Sequence, residues 1–374
     1  MIHFTAKSLP VKPISAMLYV NSQHLIRMTH TYFDNDQKIL RAASDISASV
    51  ARADLDAAQY ESWRFEAVSD DGEKVISIVF LEDLLNAGSS ELSESGRRLP
   101  AIVFTFYRGG AAVYRTLAEF DADQFVAETE KPGCSIDESF FTFREAEYGS
   151  GVYIELRLPL PGGEFVEADF EWLFIESDMM RAREGAPSAN NLWNLVAPRS
   201  DVSGKFTVTG DDGEIVEIAS FRGTGVYEHI RGYKQLFGGI ECWLTGTAHF
   251  SDSTVIFSHL KHSETPEDDR LIVVRDGKLE ELIADYGESA HSRTKFGMRY
   301  PREVTFASDE VSVRLNLSKI IVSNVFVVRF LSEVTLSAKN GEQKSVAITE
   351  VLSPKMKYMK WLSWLVTRRG WEVN

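Results

Sequence analysis

Cysteine is nearly absent: Cys134 and Cys242 are the two thiols in 374 residues. Two such positions provide neither a disulfide framework nor a metal-ligand spacing. They fit a reducing compartment, with each thiol read as a small buried hydrophobe. Basic charge is also short, with 40 Lys and Arg against 55 Asp and Glu and a formal net charge of −15. That balance excludes a general nucleic-acid binder, which needs a basic face. Nowhere do about 18 apolar residues run together, so no membrane-spanning helix is expected. The start, Met1 to Lys7, lacks the basic and apolar regions of a secretory signal, and a cytoplasmic location is expected. The phosphate loop Gly-x-x-x-x-Gly-Lys, the nucleophile elbow Gly-x-Ser-x-Gly and the pair His-Glu-x-x-His are all missing. His259 and His262 lack a convincing Cys or Asp partner set, so no metal is assigned and no cofactor is expected.

What is present is β grammar. Apolar residues make up 44% and charged residues 25%, as in ordinary globular proteins, and the length suits two domains or one large all-β domain. Trp63–Val68 leads through Asp71-Gly72 into Val75–Leu81, a hairpin signature. Asp212-Gly213, Asp276-Gly277 and Asn340-Gly341 join further strand-like runs in the same way. Phe165–Phe174 alternates strictly, with Val166, Ala168, Phe170, Trp172 and Phe174 on one face and acids on the other, a half-buried antiparallel strand. A tryptophan strand entering a hairpin occurs twice, at Trp63 and Trp243, which suggests two related barrels. The expected organisation is an N-terminal arm (1–39), two β-barrels (40–198 and 199–352) and a tail (353–374). The connection 176–191 breaks the β rhythm between them.

The tail carries Lys355, Lys357, Lys360, Arg368 and Arg369 against Glu372, with Tyr358, Trp361, Leu362 and Leu365 on one helical face. It reads as a short helix with two roles open. It either touches an anionic membrane surface, giving peripheral membrane contact, or seals one end of a barrel.

The densest chemistry lies in Gly223–Gly232, between the strand-like runs Glu214–Ala219 and Ile240–Phe250. In a strand, Tyr227 and His229 face one way and Glu228 the other. Around them stands an aromatic supply: Trp63, Trp172, Trp193, Tyr227, Tyr233 and Trp243. A buried carboxylic acid among aromatic walls suits protonation of an alkene, because burial keeps the acid protonated and aromatic faces stabilise the developing cation. Without proton transfer the same pocket binds a hydrophobe. In the bland alternative Glu228 and Arg231 are a rim ion pair and His229 a hydrogen-bonded strand residue.

Trp63-Arg-Phe-Glu-Ala-Val-Ser-Asp-Asp-Gly72 resembles the entry strand of the carotenoid 1,2-hydratase (hydroxyneurosporene synthase) family. Leu192-Trp193 with Pro198 and Val202-x-Gly204 is similar to that family's His-x-Trp…Pro…Val-x-Gly crossover. Gly223–Gly232 is similar to its Gly-x-Gly-Tyr-His-Asp-His-Asn-Trp-Gly segment, and Trp243-x-x-Gly246 to the Trp-x-x-Gly that follows. The match touches roughly residues 60 to 260. It implies two lipocalin-like antiparallel β-barrels and hydrophobic polyene or isoprenoid ligands. Some members hydrate a terminal double bond, and related lipocalin-like Diels–Alderases cyclise polyenes without a cofactor. In this chain the family acid is Glu228 and the second histidine is His229. Tyr227, Ile230 and Arg231 stand where the family has histidine, asparagine and tryptophan. Those losses put hydration in doubt and favour a cyclase or isomerase, or a binding protein.

The reading is therefore a cofactor-independent enzyme acting on a hydrophobic small molecule, or alternatively a carrier for a lipid or other apolar ligand. Glu228, His229 and Tyr227 are the candidate catalytic residues. Trp63, Trp172, Trp193, Arg231, Tyr233 and Trp243 are the candidate substrate contacts. Trp193, Tyr227 and Trp243 are expected to converge on one cavity.

Overall fold

A computed structural model describes residues 42–43, 59–83, 98–147, 149–175, 193–233, 240–263, 267–276, 278–323, 327–339 and 341–353. The N-terminal arm, the connection 176–191 and the tail with its expected helix lie outside the described residues.

Period-2 alternation produces strands from Gln59 onward. The first sheet has twelve: β1 (Ala42–Ala43), β2 (Gln59–Ser69), β3 (Lys74–Leu81), β4 (Ala101–Arg108), β5 (Ala111–Glu119), β6 (Phe125–Ala127), β7 (Gly133–Ile136), β8 (Ser139–Ala146), β9 (Gly149–Pro159), β10 (Phe165–Phe174), β11 (Trp193–Thr209) and β12 (Ile215–Tyr233). The second sheet has nine, drawn from β13 (Ile240–His249), β14 (Thr254–His262), β15 (Asp268–Arg275), β16 (Lys278–Ile283), β17 (Asp285–Ser289), β20 (Glu303–Ala307), β21 (Val311–Ser323), β22 (Val327–Ala338) and β23 (Gly341–Leu352). Between β17 and β20, Ser292–Arg293 (β18) and Arg299–Tyr300 (β19) form a small separate ribbon. Among the described residues no helix is long and apolar enough to cross a membrane.

The two sheets share one plan. The first runs β5-β4-β3-β2-β12-β11-β10-β9-β8-β7-β6, and the second β16-β15-β14-β13-β23-β22-β21-β20-β17. In each, an opening run of four strands pairs through its first member with the last strand, β2 with β12 and β13 with β23. Trp63 and Trp243 lie on those two first strands, each entering a hairpin, β2–β3 and β13–β14. The first sheet curls into a half-barrel and the second into a nearly closed barrel. Gly72 and Gly213 take positive φ (71° and 84°) in the turns after Asp71 and Asp212, where a side chain would be strained.

The expected division at 198/199 falls inside β11. Both β11 and β12 hydrogen-bond within the first sheet, so sheet membership changes between Tyr233 and Ile240. The hairpin around Asp212-Gly213 thus closes the first sheet and does not open the second. Its strands are 17 and 19 residues long, long enough to carry both the hairpin end and the chemistry-bearing end.

The concave side of the first sheet is solid with rings. Trp63, Phe65, Phe80, Phe104, Phe106, Phe141, Phe170, Trp172, Phe206 and Tyr227 are all fully buried. Each buried ring is worth about 1.5–3 kcal/mol by removal from water, so this lumen is a packed core. The sheets meet back to back. Leu195, Val226 and Ile230 of the first pack with Ile256, Ile272 and Val274 of the second. A second contact joins Val75 and Tyr107 to the second sheet's core, with Val68 and Val346 against it.

Candidate functional site: a charged cleft between two sheets

Two glycines make room for the site. At Gly223 an added methyl carbon would come within 2.1 Å of the Val68 carbonyl, and at Gly225 within 2.8 Å of Trp172 Nε1. Glycine at these positions lets β2 and the Trp172 indole approach β12 closely. Past them the alternation read in the sequence holds. Tyr227 and His229 face the ring-filled interior, where Tyr227 stacks on Phe65 (4.4 Å) and His229 on Trp63 (5.1 Å between centroids, planes 8° apart). Trp172 meets Phe65 edge-on at 5.5 Å. Glu228 faces the other sheet.

The structure thus separates the three candidate catalytic residues. Tyr227 and His229 stay together with Trp63 and Trp172, while Glu228 lines a cleft that also contains Trp243. The carboxylate nearest His229 is Glu61 on the neighbouring strand, 3.6 Å from its Nε2, with both side chains buried. Glu82 follows: its Oε2 accepts from the Glu61 backbone N–H (3.1 Å) and its other oxygen pairs with Arg98. Burial pushes the Glu82 carboxyl up to about 7, with Glu61 adding to the effect and Arg98 opposing it. The expected convergence of Trp193, Tyr227 and Trp243 is not met: Tyr227 belongs to the first sheet's core and Trp243 to the second cluster. Trp193 pairs in register with Ile230. Its side chain, like those of Arg231 and Tyr233, lies outside the described residues.

The cleft is walled by Val226, Ile230, Trp243 and Ile348, with Thr245 and Thr247 on its second-sheet side. Trp243 is fixed by its Nε1, which donates to Ser258 Oγ at 2.9 Å. Counting its open mouth the cleft spans ≈ 630 Å³, and ≈ 40 Å³ of it admits the centres of water molecules. At about 10–15 Å³ per water the enclosed part has room for a few waters, so a larger ligand would lie along the open mouth.

Its floor is charged. Arg64 binds Glu66 at 2.6 Å and lies 3.8 Å from Glu228. Arg329, from β22, pairs with Glu66 and stands 3.1 Å from Glu350 on β23. Ser77 Oγ donates to Glu66 at 2.9 Å. Burial alone would raise the Glu66 carboxyl, but Arg329 and Arg64 outweigh it and hold it at about 2. Burial raises Glu350, and the neighbouring Glu66 and Glu228 charges reinforce this against Arg329 and Arg64. His249, on the same wall, is pushed down to about 3 by burial and by Arg199, so it is neutral near pH 7. Arg64, its register neighbour on β2, is an ion partner of Glu228, and the Arg231 side chain that sequence reasoning offered lies outside the described residues. Sequence reasoning missed Glu66, Arg329 and Glu350. A signal existed in their immediate neighbours: Glu66 stands between Phe65 and Ala67, Arg329 between Val328 and Phe330, and Glu350 between Thr349 and Val351.

Two back-to-back, largely antiparallel β units, one pairing β2 with its last strand β12 and the other β13 with its last strand β23, form a lipocalin-like fold. No family model matches the chain. Among curated proteins, hydroxyneurosporene dehydrogenase of Chlorobaculum tepidum is 20% identical over 188 residues, 49% of each chain. The chain thus spans about half the length of that relative. Among solved structures, a protein of Nitrosomonas europaea assigned as AttH is similar with a TM-score of 0.53 at 12% identity, covering 86% of this chain and 98% of that one. CghA in complex with Sch210972 is similar with a TM-score of 0.54 at 12% identity, covering 86% and 97%. These likenesses establish the lipocalin-like fold and match the resemblance read in the sequence.

Proposed function

We propose that the protein converts a hydrophobic polyene or isoprenoid without a cofactor, by cyclisation, isomerisation or hydration, in the cleft between its two sheets. The observation that carries this is the pairing of buried carboxyls, Glu228 and Glu350, with apolar and aromatic walls in one cleft. A sheltered carboxyl polarises or protonates an unsaturated substrate, and the indole face of Trp243 stabilises the positive charge that builds up. Two likenesses support the substrate class. The curated relative is named for hydroxyneurosporene, and CghA has been solved with Sch210972.

Cyclisation or isomerisation is favoured over hydration. Ile230 lines the cleft where the resembling family carries asparagine. That change leaves one polar group fewer to hold a reacting water.

The test is to incubate the purified protein with linear polyenes, with and without a terminal oxygen function, and to analyse products by mass spectrometry. Turnover to a product of unchanged mass supports cyclisation or isomerisation, and gain of one water supports hydration. Tight binding with no turnover across the series would leave the carrier reading in its place.

A further inference from the structure

Five ionisable side chains meet at the cleft floor with unequal charge: Arg64 and Arg329 against Glu66, Glu228 and Glu350. His249 adds none, being held neutral. The Tyr107 phenol and Arg115 also act on Arg329. Burial raises the phenol and lowers the guanidinium, which leaves Tyr107 neutral and Arg115 cationic, but Arg115 is not among the main charges that shift Glu66 or Glu350. The acids therefore outnumber the bases that face them, and a buried excess charge is relieved most cheaply by keeping one proton.

Geometry decides which acid keeps it. Glu66 is gripped by both guanidiniums and by Ser77, an arrangement that suits only a carboxylate. Glu228 has Arg64 as counter-ion. Glu350 differs. It is 2% exposed, and neither of its oxygens accepts an aligned hydrogen bond among the described residues. Its 3.1 Å contact with Arg329 Nε is a charge contact without hydrogen-bond alignment, since that Nε likewise lacks an aligned acceptor. Glu350 nonetheless lines the cleft.

We infer that Glu350 holds the proton of the cleft and presents it as a hydrogen bond to a substrate that carries an oxygen acceptor, such as a conjugated carbonyl. This rests on the cleft reading above and assigns its donor and substrate class. Val226, Ile230, Trp243 and Ile348 take the hydrocarbon, and the Glu350 O–H meets the oxygen. Donation withdraws electron density along the conjugated chain and eases ring closure or double-bond rotation. The proton stays on Glu350, and Arg329 stabilises whatever negative charge it acquires.

Infrared difference spectra at neutral pH separate the candidates. A protonated-carboxyl stretch, shifted in heavy water, is expected in the wild type. It should vanish in Glu350→Gln and persist in Glu228→Gln. Should Glu350→Gln not fold, Glu350→Asp is expected to move the band instead of removing it. A wild type without the band, or a band lost in Glu228→Gln and kept in Glu350→Gln, overturns the assignment. Ligand binding is read separately with all-trans-retinal and its hydrocarbon counterpart axerophthene. Both should bind, with the retinal absorption red-shifted in the wild type and the shift lost in Glu350→Met. If neither probe binds, the cleft reading fails, whatever the infrared result. If both bind and retinal shows no shift that depends on Glu350, the donor role fails while the cleft reading stands.

Discussion

Glu66 and Arg329 are 263 residues apart in the chain and form a buried ion pair between the two sheets. Each is 5% exposed or less. The pair fixes how the outer face of β2 sits against β22, and so sets the width of the cleft beside it. Burying charge gains little net stability when the partner is present and costs a great deal when it is not.

Removing one partner should therefore be worse than removing both. Arg329→Met is expected to cost about 3–5 kcal/mol, because Glu66 loses one of its two guanidiniums in a buried site. The double variant Arg329→Met with Glu66→Met should recover most of that loss. Denaturant melts of the two single variants and the double variant measure the coupling. Additive losses would show that the pair is not an energetic unit.

Glu66 and Glu82 should mark the two limbs of the stability curve. The Glu66 carboxyl falls from 4.5 to about 2 on folding. Its contribution is present above 4.5 and is lost as pH drops toward 2. Glu82 rises from 4.5 to about 7, so its contribution is complete below 4.5 and is lost as pH climbs through 7. Glu82→Gln, which keeps the oxygen that accepts from Glu61 N–H, should flatten the decline in melting temperature between mildly acidic and alkaline pH. An unchanged alkaline limb would place Glu82 outside the titrating set.

Gly225 should not tolerate a methyl group. The added carbon would lie 2.7 Å from the Glu66 carbonyl and 2.8 Å from both Trp172 Nε1 and Val202 Cγ2. Two of these neighbours are fixed in packed strands, so Gly225→Ala is expected to lose about 1–3 kcal/mol through overpacking. A thermal melt checks this, and tryptophan emission reports whether Trp172 is displaced. Gly287, which has open space around it, serves as the comparison position.

Much of the fold was readable because its signals are local. The Asp-Gly turns after Asp71 and Asp212 close the hairpins they announced, and Phe165–Phe174 buries the face its alternation marked. The opposed faces of Tyr227 and Glu228 also follow from strand period alone. What escaped depends on distant partners. The boundary at 198/199 misses because Val202–Thr209 reads equally well as the end of one sheet or the start of another. Its pairing with both β10 and β12 is what decides it. Trp243 and Tyr227 were grouped by their closeness in sequence, yet the chain changes sheet between them. Glu350 and Arg329 gain meaning only when β22 and β23 are laid against β2, a contact no short window contains.

The second sheet has a seam. Its two outermost strands, β16 and β17, are consecutive in the chain, and the crossing from one to the other is made by Ala284 alone. Its first and last strands lie side by side, Trp243 opposite Leu352. A chain joined from 353 back to 240 and reopened at 284 would therefore keep every strand pairing of this sheet. In evolutionary terms, this half of the molecule can be re-threaded by circular permutation, with the new ends placed where Ile283 already stands 95% exposed.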